Sequence, residues 1–142
     1  WGVARRIAVE HLPKMMNDKS YDVRWKVAER IGSEGGAFAD EHLPKMMNDK
    51  DFGVRCQVAK RIDIEHLPKM MNDESWEVRW KVAERIDPKH LPMMMNDEDF
   101  GVRCQVAKRI DIEHLPKMMN DKDSQVRYEV AERMKELKLK YQ

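Results

Sequence analysis

Val78-Arg79-Trp80-Lys81-Val82-Ala83-Glu84-Arg85-Ile86, followed by Asp87-Pro88-Lys89-His90-Leu91-Pro92-Met93-Met94-Met95-Asn96-Asp97, is one copy of a unit that fills this chain. His-Leu-Pro-Lys-Met-Met-Asn-Asp recurs from His11, His42, His66, His90 and His114, with Met93 in place of Lys in one copy. The steps between those histidines are 31, 24, 24 and 24 residues. Val-Arg-x-x-Val-Ala-x-Arg-Ile starts at Val23, Val54, Val78 and Val102, with a Met-ended copy at Val126. A fixed period of this length means a solenoid, in which each repeat contacts only its neighbours.

The first half of the unit reads as a helix from about Trp76. On a 3.6-residue wheel Val78, Arg79, Val82, Ala83 and Ile86 share one face, and Trp80, Lys81 and Glu84 lie opposite. Ser75 sits at the N-cap, where other units place Ser20, Asp51, Asp99 and Asp123. Ile86-Asp87-Pro88 ends the helix. His90-Leu91-Pro92 then puts a proline in the first turn of a second helix. Met93 to Asn96 completes only a short one, α or 3₁₀, too brief to stand alone, so stacking must hold it. Most methionines fall in pairs on this short helix. Methionine is an adaptable filler, so one of each pair is expected to pack inward; an exposed Met groove for peptides is the alternative.

Arg24, Arg55, Arg79, Arg103 and Arg127 sit beside the core valines, and each has an Asp six residues earlier: Asp18, Asp49, Asp73, Asp97 and Asp121. A charge on a core face needs a partner. The pattern predicts Asp–Arg ladders, within or between repeats, that set the stacking register. An anion site at these arginines is the other reading.

The pattern Asp-x-x-x-x-Val-Arg-x-x-Val-Ala-x-Arg-Ile followed by Leu-Pro resembles the leucine-rich repeat variant, whose unit is 24 residues, and its Asp-to-Val-Arg part is similar to HEAT repeats. The resemblance covers nearly the whole chain. It implies an all-α, right-handed α-solenoid of about five repeats, each a long helix plus a short α or 3₁₀ helix. The family implies no defined activity. Some of its members resemble iron–sulfur proteins with an N-terminal cysteine cluster; this chain has only Cys56 and Cys104, so that property is not carried over.

The units divide the chain as a partial repeat over 1–20, a long repeat over 21–51 with an insertion at 32–41, regular repeats over 52–75, 76–99 and 100–123, and a capping helix over 124–142. The insertion, Gly32 to Glu41, makes its repeat 31 residues long. Its glycines read as a loop, and Ala37 to Glu41 would lengthen the short helix. Gly35-Gly36 is not followed by Lys-Ser/Thr at P-loop spacing, which weakens a phosphate-cradle reading. Val126 to Gln142, with Lys135, Glu136, Lys138 and Lys140, reads as a polar terminal cap. Val3-Ala4-Arg5-Arg6-Ile7 matches Val58 to Ile62, so the chain, which starts at Trp1, is expected to begin inside a repeat with residues upstream.

Charged residues make up 37% of the 142 residues but leave a net charge of only +1, so nothing pulls the whole chain toward nucleic acid or an anionic membrane. No apolar run is long enough to span a membrane, and the sequence shows no signal peptide, which points to the cytoplasm. Cys56 and Cys104 stand two units apart, about 20 Å if helices stack every ~8–10 Å, too far for a disulfide. Two thiols without a CxxC pair make no zinc or iron–sulfur site. Equivalent histidines are a repeat apart and cannot share one ion; within a unit His114 and Met118 form at most a weak copper(I) pair. The plainer role for His is to cap or pack the short helix. No metal and no cofactor is expected. Asp51 to Asp73 is identical to Asp99 to Asp121, and interchangeable units offer little of the unique convergence that catalysis needs. A non-enzymatic chain is expected.

The outward face carries the candidate sites. Trp25, Cys56, Trp80, Cys104 and Tyr128 are equivalent, and four residues on stand Glu29, Lys60, Glu84, Lys108 and Glu132. Opposite charges on adjacent helices can pair. Each Trp either folds over the neighbouring Cys-bearing helix or lines a binding surface, where aromatics are typical anchors. In the binding reading Cys56 and Cys104 leave depressions between the rings, with Lys60 and Lys108 beside them for an acidic peptide. A second row, Arg30, Arg61, Arg85, Arg109 and Arg133, lies at the edge of this face and could hold a phosphate backbone; a salt-bridged flank is the competing reading. The expectation is a scaffold for a protein or peptide, with nucleic-acid binding through the Arg row, or service as the repeat arm of a larger protein, as alternatives.

Overall fold

The computed structural model describes residues 2–140. Trp1, positions 141 and 142 of the expected terminal cap, and the side chains of Leu139 and Lys140 lie outside the described residues. Among the described residues the regular elements are all helical. The α-helices are α1 (Gly2–Arg6), α2 (Tyr21–Glu34), α3 (Gly36–His42), α4 (Phe52–Arg61), α5 (Trp76–Arg85), α6 (Phe100–Arg109) and α7 (Ser124–Lys140). Between them run 3₁₀ helices at Val9–Met15, Leu43–Met46, Ile64–Met70, Pro88–Met94 and Ile112–Met118. The long helices stack in chain order, α2 on α4, α4 on α5, α5 on α6 and α6 on α7, and each 3₁₀ helix packs against the long helix that follows it. The chain is an all-α solenoid.

The switch between helix types has a local cause. Ile62, Ile86 and Ile110 are extended, with ψ of 152°, 150° and 150°, yet their N–H groups still donate to Val58, Val82 and Val106. The long helix therefore stops while the isoleucine drops into the core. Asp63 and Asp87 come next and accept from the N–H groups of Glu65 and Lys89, capping the 3₁₀ turn. Pro68, Pro92 and Pro116 lack an N–H, and their carbonyls accept from Met71, Met95 and Met119 three residues on, the 3₁₀ spacing.

Columns of equivalent residues build the core. Val54, Val58, Val78, Val82, Val102 and Val106 are fully buried, as are Leu12, Leu43, Leu67 and Leu91. In the Met pairs Met46, Met70, Met94 and Met118 turn inward; Met71 is buried beside Met70, and Met93, in the Lys position, is well exposed.

The Asp–Arg ladder runs from the start of each long helix to the turn before the next. Arg24, Arg55, Arg79 and Arg103 each grip the Asp at the end of their own unit with two donors, to Asp49, Asp73, Asp97 and Asp121. For Arg79, Nε donates to Asp97 Oδ2 at 2.7 Å and Nη2 to Oδ1 at 3.1 Å. The Asp six residues earlier contributes its carbonyl instead: Arg79 Nη1 donates to Asp73 O at 2.7 Å. Each of these carboxylates also accepts an N–H two residues on, as Asp97 does from Asp99. One arginine thus ties the entrance of its helix to the entrance of the next. Arg127, in the same column, holds only the carbonyl of Asp121.

The inserted segment corrects the loop reading. Gly32, Ser33 and Glu34 prolong α2, and the break falls at Gly35, with φ +69° and ψ −169°, a region open to glycine almost alone. Residues 37–41 do form a helix, within α3. The insertion leaves the ladder intact: Arg24 reaches Asp49 across 25 residues with the geometry that Arg79 uses across 18.

Candidate functional site

An exposed aromatic column absent from the sequence-based candidates opens the long helices. Tyr21, Phe52, Trp76 and Phe100 open four successive long helices and are 57, 51, 49 and 50% exposed. Each follows an N-cap residue directly, so each ring stands at the rim where helices begin. The signal was present in the sequence as an aromatic residue at one repeat position in four consecutive units. A wheel drawn for one helix puts that position at the edge of the buried face, which does not separate a covered ring from an exposed one.

Trp25 and Trp80, four residues further along, behave differently. Both are half-buried and pack on the core. A Cβ at Gly53 would lie 3.9 Å from Trp25 Cδ1, and one at Gly101 would lie 3.7 Å from Trp80 Cδ1. Each indole therefore lies over the glycine of the next, Cys-bearing helix, which is the packing arrangement of the two considered for it. Tyr128, the third ring of the column, is 56% exposed. Cys56 is half-buried and Cys104 buried, and burial pushes both thiols up to about 11. Only 7% of Cys104 reaches solvent. Lys60 and Lys108 are exposed. The glutamates expected to pair across helices pair within them instead: Glu29 with Lys26 at 2.5 Å, Glu84 with Lys81 at 3.8 Å, Glu132 with Lys135 at 3.6 Å.

The Arg row does not point outward. Arg30 donates to the carbonyls of Ala4 and Ile7, Arg85 to those of Ala59 and Ile62, Arg109 to Ala83 and Arg133 to Ala107. Each guanidinium caps the C-terminal end of the preceding long helix, where unpaired carbonyls carry partial negative charge. Burial lowers the pKa of Arg85, Arg109 and Arg133. Arg61 is the exception. The helix before it, α2, does not end at Ile31, whose carbonyl is taken by Gly35 N–H. Arg61 crosses Gly32 and donates to Ser33 Oγ at 2.9 Å and Gln57 Oε1 at 3.2 Å. A Cβ on Gly32 would stand 2.6 Å from Arg61 Cβ, so only glycine leaves room.

His42, His66 and His114 place Nε2 3.4 to 3.6 Å from the preceding glutamate. No group of three or more His, Cys, Asp or Glu side chains converges on a possible metal position among the described residues. The aromatic rim does form a cleft. Tyr21, Asp22, Trp25, Asp51, Phe52 and Gly53 line an open hollow of about 560 Å³, and its lining is mostly apolar.

No protein-family model matches the chain, and no curated protein matches it. Among solved structures, one described as "a leucine-rich repeat variant with a novel repetitive protein structural motif" is 38% identical and superposes with a TM-score of 0.81 over 90% of this chain. The chain spans about half of that structure, 52%. Together with the 24-residue unit and the alternation of α and 3₁₀ helices, this likeness shows that the chain has the repeat architecture of that leucine-rich repeat variant structure.

Proposed function

We propose that this chain is a non-enzymatic scaffold that binds a protein segment along the rim where its long helices begin. The observation that carries this reading is the column Tyr21, Phe52, Trp76 and Phe100, one half-exposed ring per layer. Ordered apolar groups that recur on an exposed edge contribute nothing to the core, and contiguous patches of that kind mark interaction surfaces. A solenoid offers such a row at regular spacing, which suits an extended partner. Trp25 and Trp80 support the row from below, and Tyr128 extends the surface on α7. Cys56, Cys104, Lys60 and Lys108 have a lesser part in this arrangement than the sequence suggested. The free thiols fit a reducing compartment such as the cytoplasm. The solved relative is longer, so the chain also fits the repeat arm of a larger protein.

The test uses peptides selected by display against the parent chain. The variant Tyr21→Ser, Phe52→Ser, Trp76→Ser, Phe100→Ser should melt lower, because about half of each ring is covered, but should keep the parent's helical circular-dichroism signal at room temperature. Its affinity for the selected peptides should fall at least tenfold. Peptides that bind parent and variant equally would show that the rim is not the binding surface. Trp80→Ala provides the contrast: its melting temperature should drop while peptide binding to the rim persists.

A further inference from the structure

We propose that the cleft between Tyr21 and Phe52 receives a lysine side chain of the bound segment. This rests on the scaffold reading above and names the chemistry that one of its positions recognises. Three rings, Tyr21, Trp25 and Phe52, share the hollow with two carboxylates, Asp22 and Asp51. Aromatic faces attract an ammonium through their quadrupole, and carboxylates accept its N–H groups. The two kinds of group together favour a cation over an apolar or acidic side chain.

The details of the cleft agree. Asp22 is exposed and has no ion-pair partner among the described residues. Asp51 Oδ2 accepts the Val54 N–H as a helix cap. Gly53 has no side chain, so the Asp51 carboxylate and the Trp25 edge stay open to the hollow; a Cβ there would lie 2.9 Å from Asp51 Oδ2.

A second observation points to the same ligand. In the equivalent layer the Lys81 ammonium lies 4.9 Å from the centroid of the Trp80 ring. The indole of this repeat position thus already holds an ammonium within the chain. At Trp25 the equivalent Lys26 is drawn to Glu29 at 2.5 Å, a tighter pair than Lys81 makes with Glu84 at 3.8 Å. The first cleft is therefore the one to which an external lysine has access.

Three synthetic twelve-residue peptides test this, alternating serine with lysine, glutamine or glutamate. Trp25 is followed by its indole N–H resonance, assigned with Trp25→Phe. The lysine peptide should shift that resonance, and its affinity should fall at least fivefold in Asp22→Asn, an exposed first-turn change that leaves folding intact. The glutamine and glutamate peptides should leave the resonance in place. A lysine peptide that leaves Trp25 unmoved at millimolar concentration overturns the inference, as does an equal shift by the glutamine peptide. A glutamine peptide whose binding is lost in the four-ring serine variant keeps the scaffold and rejects the cation. Binding of every peptide to that variant as tightly as to the parent rejects both.

Discussion

Replacing Arg79 by methionine isolates what the ladder contributes. Arg79 is 6% exposed and makes two hydrogen bonds to Asp97 and one to the Asp73 carbonyl. The side chain of Asp97 is itself only 8% exposed. Methionine fills most of the volume but leaves the Asp97 carboxylate with one remaining protein donor, the Asp99 N–H. Removing one partner of a buried pair costs about 3–5 kcal/mol, because the other charge stays behind unpaired. At ~2–4 °C per kcal/mol for a chain of this size, the melting temperature should fall by roughly 6–20 °C. The molecule carries its own control in Arg127, which shares the sequence position but bonds only a carbonyl. Arg127→Met should cost only about 0.5–1.5 kcal/mol. Adding Asp97→Asn to Arg79→Met removes the stranded charge and keeps an acceptor for the Asp99 N–H, so stability should recover by more than about 1 kcal/mol. The assay is urea unfolding followed by circular dichroism. If Arg79→Met and Arg127→Met melt within about 0.5 kcal/mol of one another, the ladder is not what holds the layers in register.

Gly32→Ala should destabilise by roughly 1–3 kcal/mol, since the new Cβ would stand 2.5 Å from Arg61 Cδ and 2.6 Å from Arg61 Cβ; Arg61→Ala in the same chain removes the Cδ clash but keeps the Cβ, so it should restore only part of the loss in thermal melts. Asp121 is partly buried, which opposes its ionisation, but the Arg103 hydrogen bond and the Asp123 N–H outweigh this and hold its pKa below the ordinary value. A carboxylate of depressed pKa stabilises the fold above its unfolded pKa of about 3.9, and that contribution is lost as pH falls through the folded value. Asp121→Asn should therefore show a shallower loss of urea midpoint between neutral pH and pH 3 than the parent, and parallel profiles would contradict the assignment. With both thiols at about 11, Cys56 and Cys104 should react with a disulfide reagent at pH 8 far more slowly in the folded chain than in urea; equal rates would mean the thiols are not sheltered.

The repeat unit, its two helices and the six-residue offset from Asp to Arg were all legible in the sequence. Each is a local or periodic property, and five near-copies repeat the evidence. Val78, Arg79, Val82, Ala83 and Ile86 share a face by helix geometry alone, and all five are buried. What the neighbouring layer does to a side chain was not legible. A wheel sets Arg85 at the edge of the exposed face; only the stacked helix α4 supplies the carbonyls of Ala59 and Ile62 that draw it inward. The same wheel cannot show that Trp25 meets a glycine on α4, or that Phe52 stays half in solvent. Nor could sequence decide whether Arg24 takes the Asp behind it or the one ahead, because the repeat places an Asp on both sides. The stacking decides: the carboxylate of Asp49 comes within reach at the next helix entrance, while Asp18 lies close enough only to lend its carbonyl. Period and amphipathic face follow from bond geometry along one chain segment. Partners across a joint depend on where two segments come to lie, and that is set only when the layers pack.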